Sequence, residues 1–239
     1  MILLATDYGW RGPWVGQLHA TLAAAAPNAR VIDLMHDLPA FAPAAAAHLL
    51  AALLPGMPAG AVCVGVVDPG VGTNRAAVIV EVDGRWLVGP GNGLFDVLSA
   101  RAQAPRWWRI TRVPAGDSAT FDGRDLFAPT AAELVHDERI AGERIDPPHR
   151  RDAAADCSEI IYIDGFGNAA TGLRATAGSG QRLRVGTRVL ERARTFGDGA
   201  PEEPMWLVNS LGLVEIVANR ASAAELLDLQ IGTPVARMH

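Results

Sequence analysis

The 239-residue sequence has no lysine: all 21 of its basic residues are arginine. Schiff-base catalysis and lysine general-base chemistry are therefore excluded. Cysteine is almost as scarce, with two residues. Cys63 lies inside the apolar run AVCVGVV and reads as a buried thiol, and Cys157 stands alone. Neither suggests a disulfide framework or a zinc site, and a reducing cytoplasm fits. The six histidines are scattered, none at metal-ligand spacing, so no metal is expected. Positive charge is not in excess. The formal net charge of −5 gives no general affinity for nucleic acid or an anionic membrane. No apolar run reaches the roughly 18 residues of a membrane span. The longest, AAAAHLLAALLPG, reads as a buried helix. The opening MILLATDYGW has no basic segment before its short apolar run and does not read as a signal peptide.

What is present is a chain 49% apolar and 20% charged, long enough for one large domain or two unequal ones. MILLATD, ARVIDLMHD and GAVCVGVVD read as strands, the last apolar throughout, as expected when both faces are covered. PWVGQLHATLAAAAP and APAAAAHLLAALLPG between them carry helical spacing. This alternation predicts an α/β domain with a mostly parallel sheet over residues 1–143. AAVIVEVDGRWLVGP alternates around Asp83-Gly84, a hairpin signal. A proline-rich, charged stretch at 144–156 reads as a linker. The short β runs of 157–239, punctuated by Gly and Asn, predict a smaller all-β, barrel-like domain.

Ligands of open α/β sheets bind beyond the carboxyl ends of the strands. Asp7 ends the first strand, Asp37 follows the second and Asp68 ends the third, so three acids are expected at one edge. Acids there can hold a ribose diol, act as general base or orient water. In VVDPGVGTNR, Arg75 is placed to grip Asp68 as a bidentate partner, and the glycines let backbone approach a ligand. The pair is either a carboxylate held ionised at a cleft mouth or a structural pair closing a turn. Asp7 is either a ligand residue or the N-cap of the next helix. TFDGRDLF, at 120–127, reads as a solvated charged loop. GPGNG, at 89–93, lacks the spacing of a nucleotide fingerprint. Trp107 and Trp108 read as packing.

Several of these stretches together resemble one family. TDYGWRGPWVG is similar to a T-D-F-G-x-x-D-x-Y-V-G motif, and VVDPGVGTNR nearly reproduces a hallmark. TFDGRDLFAP resembles T-F-H-G-R-D-I-F-A-P, and IDGFGN and NSLGLVEI resemble I-D-x-F-G-N and N-S-x-G-x-L-E-I. By these the chain resembles the S-adenosylmethionine hydroxide adenosyltransferases, relatives of the 5′-fluorinase and chlorinase. The resemblance implies hydrolysis of S-adenosylmethionine to adenosine and methionine without a cofactor. It also implies a homotrimer with the substrate between neighbouring subunits. It puts Asp68, Arg75 and Asp122 in the catalytic set and Asp7 on the ribose hydroxyls. Phe41 becomes a pocket aromatic, and Phe121 and Gly123 line the nucleophile pocket. Asp164, Phe166, Asn168 and Ser210 hold the methionine part. Phe196 stacks on adenine, which VANRASAA contacts through backbone. Four departures from the family's pattern bear on the site, beside milder ones such as Tyr8 for phenylalanine and Trp14 for tyrosine. Asp122 stands for histidine, adding a second negative charge beside Asp68. Gly12 stands for an acid, Gly91 for the aspartate of the family's P-D-N-G and Gly172 for the asparagine of its T-N pair after F-G-N. Two other readings remain: a binding protein for S-adenosylmethionine or adenosine that has lost catalysis, and a halogenase, against which Asp68 and Val71 argue.

Overall fold

A computed structural model describes residues 1–111, 118–137, 140, 142–147, 153–175 and 180–238. The chain divides into two compact units, Met1–Ala47 with Leu54–Ala154, and His48–Leu53 with Ala155–His239.

The N-terminal elements are β1 (Ile2–Thr6), α1 (Trp14–Ala25), β2 (Val31–Met35), α2 (Pro43–Leu53), β3 (Val62–Val66), β4 (Ala77–Val82), β5 (Arg85–Pro90), α3 (Asp96–Arg101), β6 (Arg106–Ile110), α4 (Ala128–Asp137) and β7 (Gly142–Ile145). Among the described residues they form one seven-stranded sheet in the order β2-β1-β3-β5-β4-β6-β7. The expected mostly parallel sheet is in fact mixed. β2, β1, β3 and β5 run parallel, whereas β4, β6 and β7 join by antiparallel pairing. The cause is the predicted hairpin. Asp83 and Gly84 both take positive φ, 47° and 73°, a two-residue turn that reverses the chain with no crossover helix. β7 also takes residues 144 and 145 out of the expected linker, because Ile145 pairs with Trp107 at the sheet edge. Residues 148–152 of that linker lie outside the described residues.

The sheet is a firm platform because its central strands are buried on both faces. Ile2, Leu4, Val62, Val64, Val66, Ile79 and Val88 pack with Leu18 and Leu22 of α1 and with Ala131 and Leu134 of α4. Leu3, Cys63 and Leu87 alternate to the other face and are equally buried. Each such side chain contributes about 1.5–3 kcal/mol by burial, so the strand ends have little freedom. β1 and β3 lie in register, Thr6 beside Val66, and the Asp7 N–H donates to the Val66 carbonyl at 3.1 Å. The residues just past both strands therefore emerge side by side. GPGNG serves packing here: a Cβ at Gly89 would overlap the Gly65 carbonyl, so the glycine lets β5 lie against β3.

The C-terminal unit contains β8 (Cys157–Ile163), β9 (Ala169–Arg174), β10 (Arg182–Val185), β11 (Arg188–Glu191), β12 (Pro204–Val208), β13 (Leu213–Ala218), α5 (Ala223–Leu227) and β14 (Val235–Met238). Among the described residues it has two antiparallel sheets, β12-β13-β9-β8 and β11-β10-β14. Ile160, Leu183, Leu190, Trp206, Val214, Ile216 and Val235, drawn from both sheets, form one core. Single bridges join the sheets, Glu159 to Pro234 and Arg192 to Trp206.

Candidate active site

The loop after β3 accounts for the carboxylate, the glycine turn and the distant arginine of VVDPGVGTNR. Asp68 Oδ1 accepts from the Gly70 N–H at 3.2 Å, and the Thr73 hydroxyl donates to the Gly70 carbonyl at 2.7 Å. Gly72, at φ 77°, completes the reversal. The chain thereby returns Arg75 to Asp68. Arg75 Nε donates to Asp68 Oδ1 at 2.9 Å and to Oδ2 at 2.8 Å, and Nη2 also donates to Oδ2. The pair does close the turn, but its Asp68 also faces a cavity and the pair has a third member.

That member is Asp122, whose Oδ2 accepts from the same Arg75 Nη2. TFDGRDLF is not the solvated loop its composition suggests. Gly123–Phe127 form a π-helical turn running directly into α4, with Gly123, Asp125, Leu126 and Phe127 buried. Two apolar residues and a bidentate pair between neighbours, Arg124 with Asp125 at 2.6 and 2.8 Å, allow the segment to sink in. Such single π turns occur often at functional sites. Side-chain exposure is 6% for Asp68, 11% for Arg75 and 18% for Asp122, so this is a largely desolvated cluster of one cation and two anions. Burial works against the Arg75 charge. Hydrogen bonds and attraction from Asp68, then Asp122, outweigh it and hold the guanidinium pKa above its usual value. The cation also lies 5.3 Å from the centre of the Phe127 ring.

Asp68 and Asp122 open on a cavity of about 530 Å³ within the N-terminal unit, a size suited to one small-molecule ligand. Asp7, Tyr8, Trp14, Phe121 and Gly123 line it as well. Asp7 is not a helix cap, since Pro13 occupies that position on α1. Asp37 is exposed and does not join the cavity, so two of the three expected acids converge. His36, buried in front of it, takes a supporting place. Its ring meets Thr6 Oγ1 at 2.8 Å and Asp33 Oδ1 at 2.9 Å, and His19 reaches the same Asp33 oxygen at 2.8 Å. Burial would raise Asp33, but the bonds from His36 and then His19 hold its carboxyl below the usual range. Thr6 Oγ1 accepts the Tyr8 N–H at 3.2 Å and the His36 carbonyl accepts the Gly9 N–H at 2.6 Å, which clamps the turn carrying Asp7 and Tyr8. Sequence reading missed Tyr8, Trp14 and Gln17. Trp14 and Gln17 are three apart on α1, the spacing of one helix face.

The Asp7 carboxyl is pushed above the usual value, chiefly by burial, opposed by its own backbone N–H and reinforced by the Asp68 charge. An acid whose folded-state pKa exceeds its unfolded value contributes stability below the unfolded pKa and loses it as pH rises through the folded one. Ionised Asp7 therefore costs stability at neutral pH. Asp7→Asn is expected to raise the melting temperature of the ligand-free protein at pH 7, with a smaller gain at pH 4, while weakening ligand binding. A lower melting temperature at pH 7 would contradict this.

The other implied residues are elsewhere. Phe41 is 82% exposed, with φ 59°, and does not line the cavity. Phe166, Asn168 and Phe196 line a separate hollow of about 460 Å³ within the C-terminal unit, with Arg220, Ala221 and Ser222 of VANRASAA. Asp164 shapes the loop that carries Phe166 and Asn168. Its Oδ1 accepts the Phe166 and Asn168 N–H groups at 2.8 and 2.9 Å, and its Oδ2 accepts from Asn168 Nδ2 at 2.9 Å. Ser210 is exposed on the turn between β12 and β13, which Asn209 organises by accepting from Leu211 and Leu213. Cys63 is a core thiol whose pKa burial pushes up to about 12. Among the described residues no three His, Cys, Asp or Glu side chains group as a metal site, and no helix is long and apolar enough to cross a membrane.

The three glycine departures have local packing reasons. A Cβ at Gly12 would press on the Trp14 indole, the ring that meets Phe121 edge-on at 5.4 Å. A Cβ at Gly91 would crowd Val78 and the Ala76 carbonyl. One at Gly172 would overlap Cys157, its partner across β8 and β9.

Comparison with known proteins agrees in both halves. The family model for the SAM hydroxide adenosyltransferase N-terminal domain matches residues 2–142, and that for the C-terminal domain matches residues 158–236. The chain is 39% identical to an (R)-S-adenosyl-L-methionine hydrolase of Thermus thermophilus, covering 98% of each chain. It is 38% identical to a protein of the same name from Salinispora arenicola, covering 97% of this chain and 95% of that one. An uncharacterized conserved protein of Thermotoga maritima has a crystal structure similar to this one, with TM-score 0.84, 27% identity and 98% coverage of both chains. The crystal structure of a conserved hypothetical protein of Thermus thermophilus aligns with TM-score 0.78, 35% identity and 99% coverage of both.

Proposed function

The chain belongs to the SAM hydroxide adenosyltransferase family, and from that membership we infer that it hydrolyses S-adenosyl-L-methionine to adenosine and L-methionine, with water or hydroxide attacking C5′ of the ribose. The observation that carries the reading is the Asp68–Arg75–Asp122 cluster opening on a cavity that Asp7 also lines. A sulfonium is already a good leaving group, so catalysis must make water nucleophilic and hold it in line behind C5′. Asp68 and Asp122, fixed from one side by Arg75, orient that water and accept its proton. Asp7 accepts from the ribose hydroxyls, and Phe121 and Gly123 bound the nucleophile's space. In the C-terminal hollow, Phe166 and Asn168 serve the methionine part and Phe196 serves adenine, and Ser210, from the β12–β13 turn, also serves the methionine part. Asp164, whose oxygens are already engaged, acts through the loop it shapes.

Charge supports the same reading. Asp7, Asp68 and Asp122 line the cavity, while Arg75 is shared by two of them and Arg124 is paired with Asp125, a balance that suits a cationic sulfonium and disfavours a halide nucleophile. The named relatives act on the (R) sulfonium epimer, and we take that epimer as the substrate here. We take the assembly to be a homotrimer with each substrate where neighbouring subunits meet. The exposed aromatics Phe41, Phe166 and Phe196, costly to leave in water, favour that arrangement. We take the C-terminal unit as a barrel closed at its two single bridges, and the free thiols as suited to a reducing cytoplasm. The test is to incubate purified protein separately with each sulfonium epimer and to chromatograph the nucleosides. Adenosine from the (R) epimer is expected. Full retention of both epimers at high enzyme would overturn the reading.

A further inference from the structure

Tyr8 packs against the core of the N-terminal unit and also lines the cavity. It follows Asp7 past the end of β1 and lines the cavity with Asp68, Phe121, Asp122 and Gly123. Its ring meets Phe121 edge-on, with centroids 5.7 Å apart, so the ring angle is fixed. Its hydroxyl rests against the backbone of Gly123, where a Cβ would overlap it. Position 123 lacks a side chain at the point the phenol oxygen occupies, one residue from Asp122.

The chemistry of the surrounding groups defines what a hydroxyl there can do. Asp7, Asp68 and Asp122 are acceptors. Arg75 has its Nε and Nη2 donors turned to Asp68 and Asp122. Arg124 is turned to Asp125 and Gln17. Ser118 and Thr120 face each other in an exposed turn, and the other donors in the lining, the Trp14 indole N–H and the Gln17 amide, come from α1, whereas Tyr8 adjoins Gly123 beside Asp122. A water between Asp68 and Asp122 can give both hydrogens to carboxylates, but one of its two lone pairs then lacks a donor. Burial, with the charges of Asp7, Asp68 and Asp122, raises the Tyr8 pKa, so the phenol keeps its proton.

We propose that Tyr8 is a third polar contact for the attacking water, donating its O–H to one lone pair so that the other is aimed at the substrate carbon. The proposal rests on the hydrolase reading. In the step, the water oxygen forms a bond to C5′ as the C5′–S bond breaks. The bond pair leaves on the methionine sulfur, which becomes neutral, and the water proton passes to a carboxylate of the Asp68–Asp122 pair. Tyr8 ends the step with its own proton.

The experiment compares wild type, Tyr8→Phe, Gly123→Ala and the double variant in adenosine formation from the (R) epimer, with melting curves for each. Tyr8→Phe keeps the ring and its contact with Phe121, so melting should be unchanged. Its kcat should fall about tenfold, the loss of one aligned hydrogen bond in the transition state, with KM within twofold. Gly123→Ala displaces the hydroxyl and should lower kcat at least as much. Added to Tyr8→Phe, it should cost little more, because the oxygen it would strike is gone. A Tyr8→Phe enzyme with wild-type kcat, a change confined to KM, or losses that multiply in the double variant would overturn the proposal. A wild type that forms no adenosine would overturn the hydrolase reading and this one together.

Discussion

Asp68→Asn is expected to lower kcat by about a thousandfold, the contribution of a well-placed general base, while substrate binding changes by only a few-fold. The amide keeps the shape of the carboxylate, its one oxygen can still accept from the Gly70 N–H and Arg75 Nε, and Arg75 Nη2 keeps Asp122 as a partner, so the loop of residues 68–75 should hold its fold. Its loss is charge and basicity at the wall of the cavity. Asp7 and the residues of the C-terminal hollow are untouched, which is why affinity should survive. Calorimetry with the (R) epimer beside steady-state rates separates the two effects. A variant within threefold of the wild-type rate would remove Asp68 from the mechanism.

Arg75→Met should damage stability as well as activity. Two carboxylates, 6% and 18% exposed, share this guanidinium. Deleting one partner of a buried ionic cluster typically costs about 3–5 kcal/mol, because the charges left behind have neither water nor a counterion. For a chain of this length that corresponds to a melting temperature lower by roughly 6–20 °C. Activity should fall with it, since Asp68 and Asp122 would repel and lose their common orientation. Arg75→Lys keeps the charge but not the fork that reaches both carboxylates, so it should recover part of the stability and little of the rate. A melting temperature within 2 °C of wild type in Arg75→Met would show that the cluster does not carry the energy assigned to it.

The sequence made some of this site legible and concealed the rest for identifiable reasons. Asp68 and Arg75 were readable because a proline-glycine turn lies between them and their spacing is short enough for a turn to close. Asp7 was readable from its place at the end of an apolar strand. The π-helical turn was not, because charge density in TFDGRDLF suggests solvent unless the Arg124–Asp125 pairing is known. Tyr8 was overlooked beside Asp7, since one residue past a strand either side chain can face the ligand. The supporting role of His36 rests on its bonds to Thr6 and Asp33, 30 and 3 positions away, and on the bond from His19 to Asp33 across 14, which no local pattern announces. In the fold, the alternation of strands and helices gave the parallel half of the sheet. The hairpin at Asp83-Gly84 was visible, yet its consequence, antiparallel continuation through β4, β6 and β7, depends on which edge the hairpin joins.

The central claim is that oxygen from water becomes bonded to C5′ of the ribose. It is tested most directly by running the reaction in ¹⁸O-labelled water and locating the label by mass spectrometry. Label in the 5′-hydroxyl of adenosine, with unlabelled methionine, is the expected result. Label in homoserine, formed beside methylthioadenosine, would put the attack on the other side of the sulfur and contradict the account.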